Sequence, residues 1–137
     1  IMAVSAKLNN LRISPRKVRL VADLIRGMNI IQAQKQLNFL SKRSAEPILK
    51  LLNSAVANAK NNVKMDSDKL IISEIFVDGG PVLKRSMPRA FGRAFAIRKR
   101  TSHITIILKE NEQKAGEKIL ETKKEKVKKT AKKINNS

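Results

Sequence analysis

The sequence predicts an α+β domain with a long cationic β-hairpin projecting from it. Strand-like apolar stretches occur near residues 4–8, 70–77 and 102–108. Between residues 15 and 63, apolar side chains recur at helical spacing in three separate runs. Residues 79–109 then carry eight basic side chains and no acidic one. An acid-free stretch of that length between two strands is the unusual feature of the chain.

The elements follow in order. Val4, Ala6 and Leu8 alternate with Ser5, Lys7 and Asn9, the period of a half-buried strand. The phase slips at Asn9-Asn10, which predicts a bulge or bend. Ser14-Pro15 reads as a helix start, with Ser at the N-cap and Pro at the first helical position. Val18, Val21, Ala22 and Ile25 form its apolar stripe, and Gly27 is the expected C′ residue. A second helix fits residues 30–40, with Ile30, Ala33, Leu37 and Leu40 on one face. A third carries Ile48, Leu52, Ala55, Val56, Ala59 and Val63. Pro47 is tolerated only in a first turn, which favours Ser44 over Ser41 as its cap. The small residues Ser54-Ala55-Val56-Ala57-Asn58-Ala59 allow close backbone approach and mark this helix as the central one. Residues 70–77 are rich in Ile, Leu, Val and Phe. In residues 102–108, Ile104, Ile106 and Leu108 alternate with His103, Thr105 and Ile107. The expected core is Val18, Val21, Leu52, Val56, Ile104 and Ile106.

Composition limits the function. The chain has 137 residues, 30 Lys and Arg, 11 Asp and Glu, and a net charge of +19. Solubility of a small domain needs a net charge of only about 2–8. The excess repels itself and weakens the compact state unless a polyanion relieves it. Nucleic acid is the commonest such partner, because phosphate contacts release counterions. At 42% apolar residues the chain can still bury a core. Four Phe with no Trp or Tyr argue against a base-stacking sheet. The absence of Cys excludes disulfides and thiolate zinc sites. No apolar run reaches membrane-spanning length and no secretory signal opens the chain, so a soluble, nucleic-acid-rich compartment is expected.

Residues 79–101 are too long for an ordinary loop. As two arms turning near Ala90-Phe91-Gly92 they form a hairpin, with Gly79-Gly80 as the bend where it leaves the sheet. From Gly79 to Phe91, at about 3.3 Å per residue, the arm projects roughly 40 Å. A two-stranded ribbon is marginal alone in water, so the favourable term must come from outside. Arg85, Arg89, Arg93, Arg98 and Arg100 favour bidentate phosphate contacts. A solvated basic loop is the alternative, but such loops rarely interleave Met, Pro, Phe and Ile with Arg. Arg12, Arg16 and Arg19 lie on one side of the first helix entry, with no acid before Asp23, and are read as further phosphate contacts.

Several segments closely resemble one family. They are Ile13-Ser14-Pro15-Arg16-Lys17-Val18-Arg19-Leu20-Val21-Ala22-Asp23-Leu24-Ile25-Arg26-Gly27, Ser54-Ala55-Val56-Ala57-Asn58-Ala59, Met87-Pro88-Arg89-Ala90 and Lys99-Arg100-Thr101-Ser102-His103-Ile104-Thr105. They resemble bacterial-type ribosomal protein twenty-two of the large subunit, in order over about residues 3–109. The resemblance implies three helices packed on a three-stranded antiparallel sheet, with the hairpin protruding. It implies a structural constituent that binds ribosomal RNA, supports subunit assembly, and lines part of the polypeptide exit tunnel with its hairpin tip. The expected RNA-binding residues are Lys7, Arg12, Arg16, Lys17, Arg19, Lys84, Arg85, Arg89, Arg93, Arg98, Lys99 and Arg100. The expected tunnel-facing tip is Met87, Pro88, Ala90, Phe91 and Gly92. The implied partners are large-subunit ribosomal RNA, neighbouring ribosomal proteins and the nascent chain, with no membrane and no homo-oligomer. The implied setting is the cytoplasmic ribosome of a bacterium, or that of a mitochondrion or plastid. Phe91 and Phe95 depart from the polar or charged residues frequent at the family's tip, and predict a more apolar one. Residues 1–109 are expected to form one domain including hairpin 79–101. Residues 110–137 are expected to be a Lys/Glu-rich tail, disordered or loosely helical.

No enzyme, cofactor or metal site is expected. His103 is the only His and has no metal-ligand neighbours. Asp66 and Asp68 offer too few oxygens for a cation and read as turn residues. Gly79-Gly80 lacks the context of a nucleotide loop, and no catalytic set can be assembled. Two rival readings are an architectural DNA protein with a minor-groove ribbon and Pro88 as wedge, and a membrane-surface protein using the tail. The first lacks a dimer seam. The second lacks a continuous apolar face.

Overall fold

A computed structural model describes residues 3–110. Strand β1 (Ala3–Leu11) is followed by helices α1 (Pro15–Ile25), α2 (Ile30–Phe39) and α3 (Ala45–Asn62). A short 3₁₀ turn at Ser67–Lys69 leads into β2 (Leu70–Pro88), and β3 (Ala94–Glu110) returns. The sheet has three antiparallel strands in the order β1-β3-β2, so β3 is central. The expected tail begins at Glu110, which ends β3; residues 111–137 lie outside the described residues.

One sheet face carries the core. Ile104, Ile106 and Leu108 of β3 have no exposure, and Val4 and Ala6 of β1 flank them. Each such Ile or Leu contributes about 1.5–3 kcal/mol by burial, so this inner row dominates the sheet's stability. On β2 the buried set changes parity, from Leu70 and Ile72 to Ile75 and Val77. A register shift between Ile72 and Glu74 causes it, because one extra residue turns the following side chains to the other face. Helix α1 packs over β2, and α3 packs over β1 and β3.

The helix stripes lie where their spacing put them. Val18, Val21, Ala22 and Ile25 are buried on α1, and Ile30, Ala33 and Leu37 on α2. On α3 the buried set is Ala45, Ile48, Leu51, Leu52, Ala55 and Ala59. Val56, expected in the core, is only partly buried. At 100° per residue it sits on the flank of a stripe centred on Ile48, Leu52 and Ala59. Ala55 and Ala59 have no exposure, and their small side chains let α3 approach β1. Gly27 takes φ +75° just past α1, as a C′ glycine does. Its N–H donates to the Ile72 carbonyl, and the Ile72 N–H donates to that of Met28, tying the α1–α2 turn to the edge strand.

Ser14 and Ser44 occupy the N-cap positions of α1 and α3, yet neither hydroxyl makes a capping bond. The predicted slip at Asn9-Asn10 is a register shift between Leu8 and Leu11, with Asn10 at φ 57°. The hairpin begins at a second shift, between Gly79 and Val82. Gly80 is required there, because a Cβ would stand 2.5 Å from the Thr101 hydroxyl oxygen. Beyond it the arms pair from Val82 with Arg100 to Pro88 with Ala94. The turn is Ala90–Gly92, with Phe91 at φ 59° and Gly92 at φ 66°. The Arg89 N–H donates to the Arg93 carbonyl across it.

Candidate nucleic-acid interface

Three segments remote in sequence meet at the base of the hairpin around a cavity of about 790 Å³. The β1–α1 corner supplies Arg12, Ile13, Ser14 and Lys17. The α2–α3 connection supplies Lys42, Arg43 and Ser44. The hairpin arms supply Leu83, Arg85, Arg98, Lys99, Arg100 and Thr101. Eight of these thirteen are cationic and none is acidic. The Thr101 hydroxyl donates to the Pro81 carbonyl at 2.6 Å and fixes the arm where it enters the cavity.

Local electrostatics make this arrangement unfavourable without an anion. Arg16 and Lys17 stand in the first turn of α1, which has no acidic residue. Lys42 and Arg43 immediately precede the N-cap of α3. A helix N-terminus is the positive end of the peptide dipoles, so a cation there costs roughly 0.3–1 kcal/mol where an anion would gain as much. The ion pairs found among the described residues are Asp23–Arg26, Glu46–Lys50, Asp66–Lys69 and Glu74–Lys109. None of them touches the cavity lining. The Lys50 ammonium, hydrogen-bonded to Glu46, holds that carboxyl below its ordinary pKa. Asp66 likewise raises Lys69 above its own. Both pairs are solvated and outside the cavity lining, although Glu46 stands in the first turn of α3, two residues past Ser44.

Of the twelve expected RNA-binding residues, Arg12, Lys17, Arg85, Arg98, Lys99 and Arg100 line the cavity. The others lie elsewhere. Lys7 is exposed on the sheet face away from the core, opposite Thr105. Arg16 is exposed on α1 outside the lining, and Lys84 is exposed opposite Arg98. Arg89 and Arg93 flank the turn. Arg19 folds back, donating from Nε and Nη2 to the Val77 carbonyl at 3.2 and 3.0 Å. It ties α1 to β2 while remaining exposed on its other side. Lys42 and Arg43 were not among the expected residues. Their signal was in the sequence: two adjacent cations directly before a helix cap, against the dipole.

At the far end, Met87, Pro88, Ala90, Phe91 and Gly92 are all exposed around the turn. The two phenylalanines differ. Phe95 lies opposite Met87, with the Arg89 guanidinium 5.4 Å from its ring centroid. That is a cation–π contact across the arms. Phe91 is 99% exposed at the apex. His103 is structural: its Nδ1 accepts the Asn10 N–H at 3.1 Å, which holds the β1 irregularity against β3. Among the described residues no group of His, Cys, Asp or Glu is placed to hold a metal ion. No described helix is long and apolar enough to cross a membrane.

A small α+β body that gathers eight cations around one cavity, and extends them along an acid-free ribbon, belongs to the class of basic structural proteins that present charge to a polyanion. Residues 6–109 match the family described as ribosomal protein L22p/L17e, and the chain belongs to that family. Members of this family are structural ribosomal proteins rather than enzymes. The chain is 63% identical over 107 residues to the large ribosomal subunit protein uL22 of Mesoplasma florum, covering 78% of this chain and 96% of that one. It is 60% identical over 102 residues to the protein of the same name from Desulfitobacterium hafniense, covering 74% and 90%. The Fusobacterium nucleatum protein of that name is 56% identical over 101 residues, covering 74% and 91%. The family match ends at residue 109, before the Lys/Glu-rich tail.

Proposed function

We propose that the protein is a structural constituent of the large ribosomal subunit, working in the cytoplasmic ribosome. It binds ribosomal RNA through its basic cavity and hairpin, contacts neighbouring ribosomal proteins, and supports assembly of the subunit. The hairpin runs into the RNA, and its tip, Met87, Pro88, Ala90, Phe91 and Gly92, forms part of the wall of the polypeptide exit tunnel, where it meets the nascent chain. The protein acts as a single copy. The observation that carries this reading is the cavity of eight cations continuous with an acid-free ribbon. Such a surface reads backbone charge and shape rather than base edges.

The test is binding of large-subunit ribosomal RNA fragments across a salt series. Each neutralised phosphate adds about 0.7–0.9 to the slope of log affinity against log salt, so a steep slope is expected. A flat response would count against the reading. Crosslinking in cells, with identification of the attached RNA and proteins, places the tip and the body independently.

A further inference from the structure

The two walls of the cavity belong to different parts of the molecule. Arg12, Lys17, Lys42 and Arg43 stand on the body, whereas Arg85, Arg98 and Arg100 stand on the hairpin. Ile13 and Leu83 are the apolar side chains of the lining. The cations gathered on both walls raise the positive potential within the cavity. The ladder between β2 and β3 is interrupted beside it, between Gly79 and Val82. A ladder break at glycines is where a two-stranded ribbon bends most easily.

We propose that this cavity is a clamp for a turn of RNA backbone, which takes neighbouring phosphates between its walls and thereby sets the angle of the hairpin against the helices. The proposal rests on the RNA-binding reading above and gives it a site and a mechanical consequence. A volume of about 790 Å³ exceeds what one phosphate group fills, and lies in the range of whole small-ligand pockets. The starts of α1 and α3 both meet the rim, through Ser14 and Ser44; α1 has cations and no acid in its first turn, where its dipole favours an anion, whereas α3 has Glu46 in its own. A phosphate between the walls therefore meets the unrelieved start of α1 and the cations of both walls at once. Lys42 and Arg43 are the informative residues, because they lie far from the hairpin in sequence and face it only through the cavity.

The test uses the full chain, which has no Cys and so accepts paired labels. Spin labels at Ser54→Cys on α3 and Ser86→Cys on β2 report the hairpin angle as a distance distribution; both positions are exposed. The free protein is expected to give a broad distribution that narrows with a large-subunit RNA fragment, and also with tripolyphosphate. In Lys42→Ala/Arg43→Ala, both exposed positions, the Tm should hold. The narrowing should be lost, and the salt slope for RNA should fall by about 1.4–1.8, two phosphate contacts. Narrowing by tripolyphosphate identifies phosphate groups as the ligand, whereas narrowing by neither probe overturns the clamp. A free protein that already shows one narrow distance overturns the hinge. RNA binding with an unchanged slope in the double variant removes the clamp and leaves the RNA-binding reading standing. A wild-type protein that binds no large-subunit RNA removes that reading itself.

Discussion

The two ends of strand β3 obey opposite rules. In residues 102–108 every second side chain is fully buried against the helices, while in residues 94–100 none is buried at all. The same difference holds across β2, which is core up to Val77 and exposed ribbon after it. One continuous pair of strands thus belongs to two physical regimes. The body is held by apolar burial. The hairpin has the backbone ladder but no apolar layer, and its charges repel. Backbone hydrogen bonds alone leave a two-stranded ribbon marginal, so its charge is intelligible only with a polyanion in place.

Substitution in the two regimes should differ most at Ile106. Ile106→Ala empties a fully buried site and should cost about 2–5 kcal/mol, read as a large fall in the midpoint of denaturant unfolding. A loss under 1 kcal/mol would mean that the inner row of β3 is not the stabilising core. At the boundary, Gly80→Ala forces a Cβ against Thr101, which must move and release its bond to Pro81. An expected cost of about 1–3 kcal/mol should appear with altered amide exchange around Pro81 and Thr101 and little change in α3. Ser102 sits at the same boundary with a buried hydroxyl that has no hydrogen-bond partner among the described residues. Ser102→Ala removes an unsatisfied group and should raise stability by up to about 1 kcal/mol. Destabilisation by that much would reveal a partner for the hydroxyl.

The smallest effect is expected from the largest deletion. Replacing residues 84–98 by a short turn should leave the thermal transition within about 0.5 kcal/mol of the parent, since no residue of that segment is buried. RNA affinity and salt slope should fall steeply in the same protein. Amide exchange on the free chain tests the premise directly. Weak protection at residues 87–95 without RNA is expected, and strong protection there would show a self-supporting ribbon.

Much of this division is legible in the sequence because periodicity and composition are local quantities. The stripe Val18, Val21, Ala22 and Ile25, the alternation ending in Leu108, the turn at Ala90–Gly92 and the Asn9-Asn10 slip can each be read from a dozen neighbouring residues. The parity change within β2 is not readable that way. The extra residue between Ile72 and Glu74 shows only against its partner strand. Val56 fits its helical stripe, and its flank position follows from the helical angle, but how far it is buried shows only in the packed structure. Arg19 looks like its neighbours until the Val77 carbonyl arrives from another strand.

By itself, then, the chain determined an α+β body, its buried rows, a projecting basic hairpin and a polyanionic partner, since hydrophobic period and net charge survive without knowledge of contacts. Only the tertiary structure decided which cations act together. Residues 12–17, 42–44 and 83–101 become one cavity because the helical layer and the hairpin bend bring them together at the base of the hairpin. Electrostatic cooperation falls off over about a Debye length, near 10 Å, so distance in space sets it and distance along the chain does not.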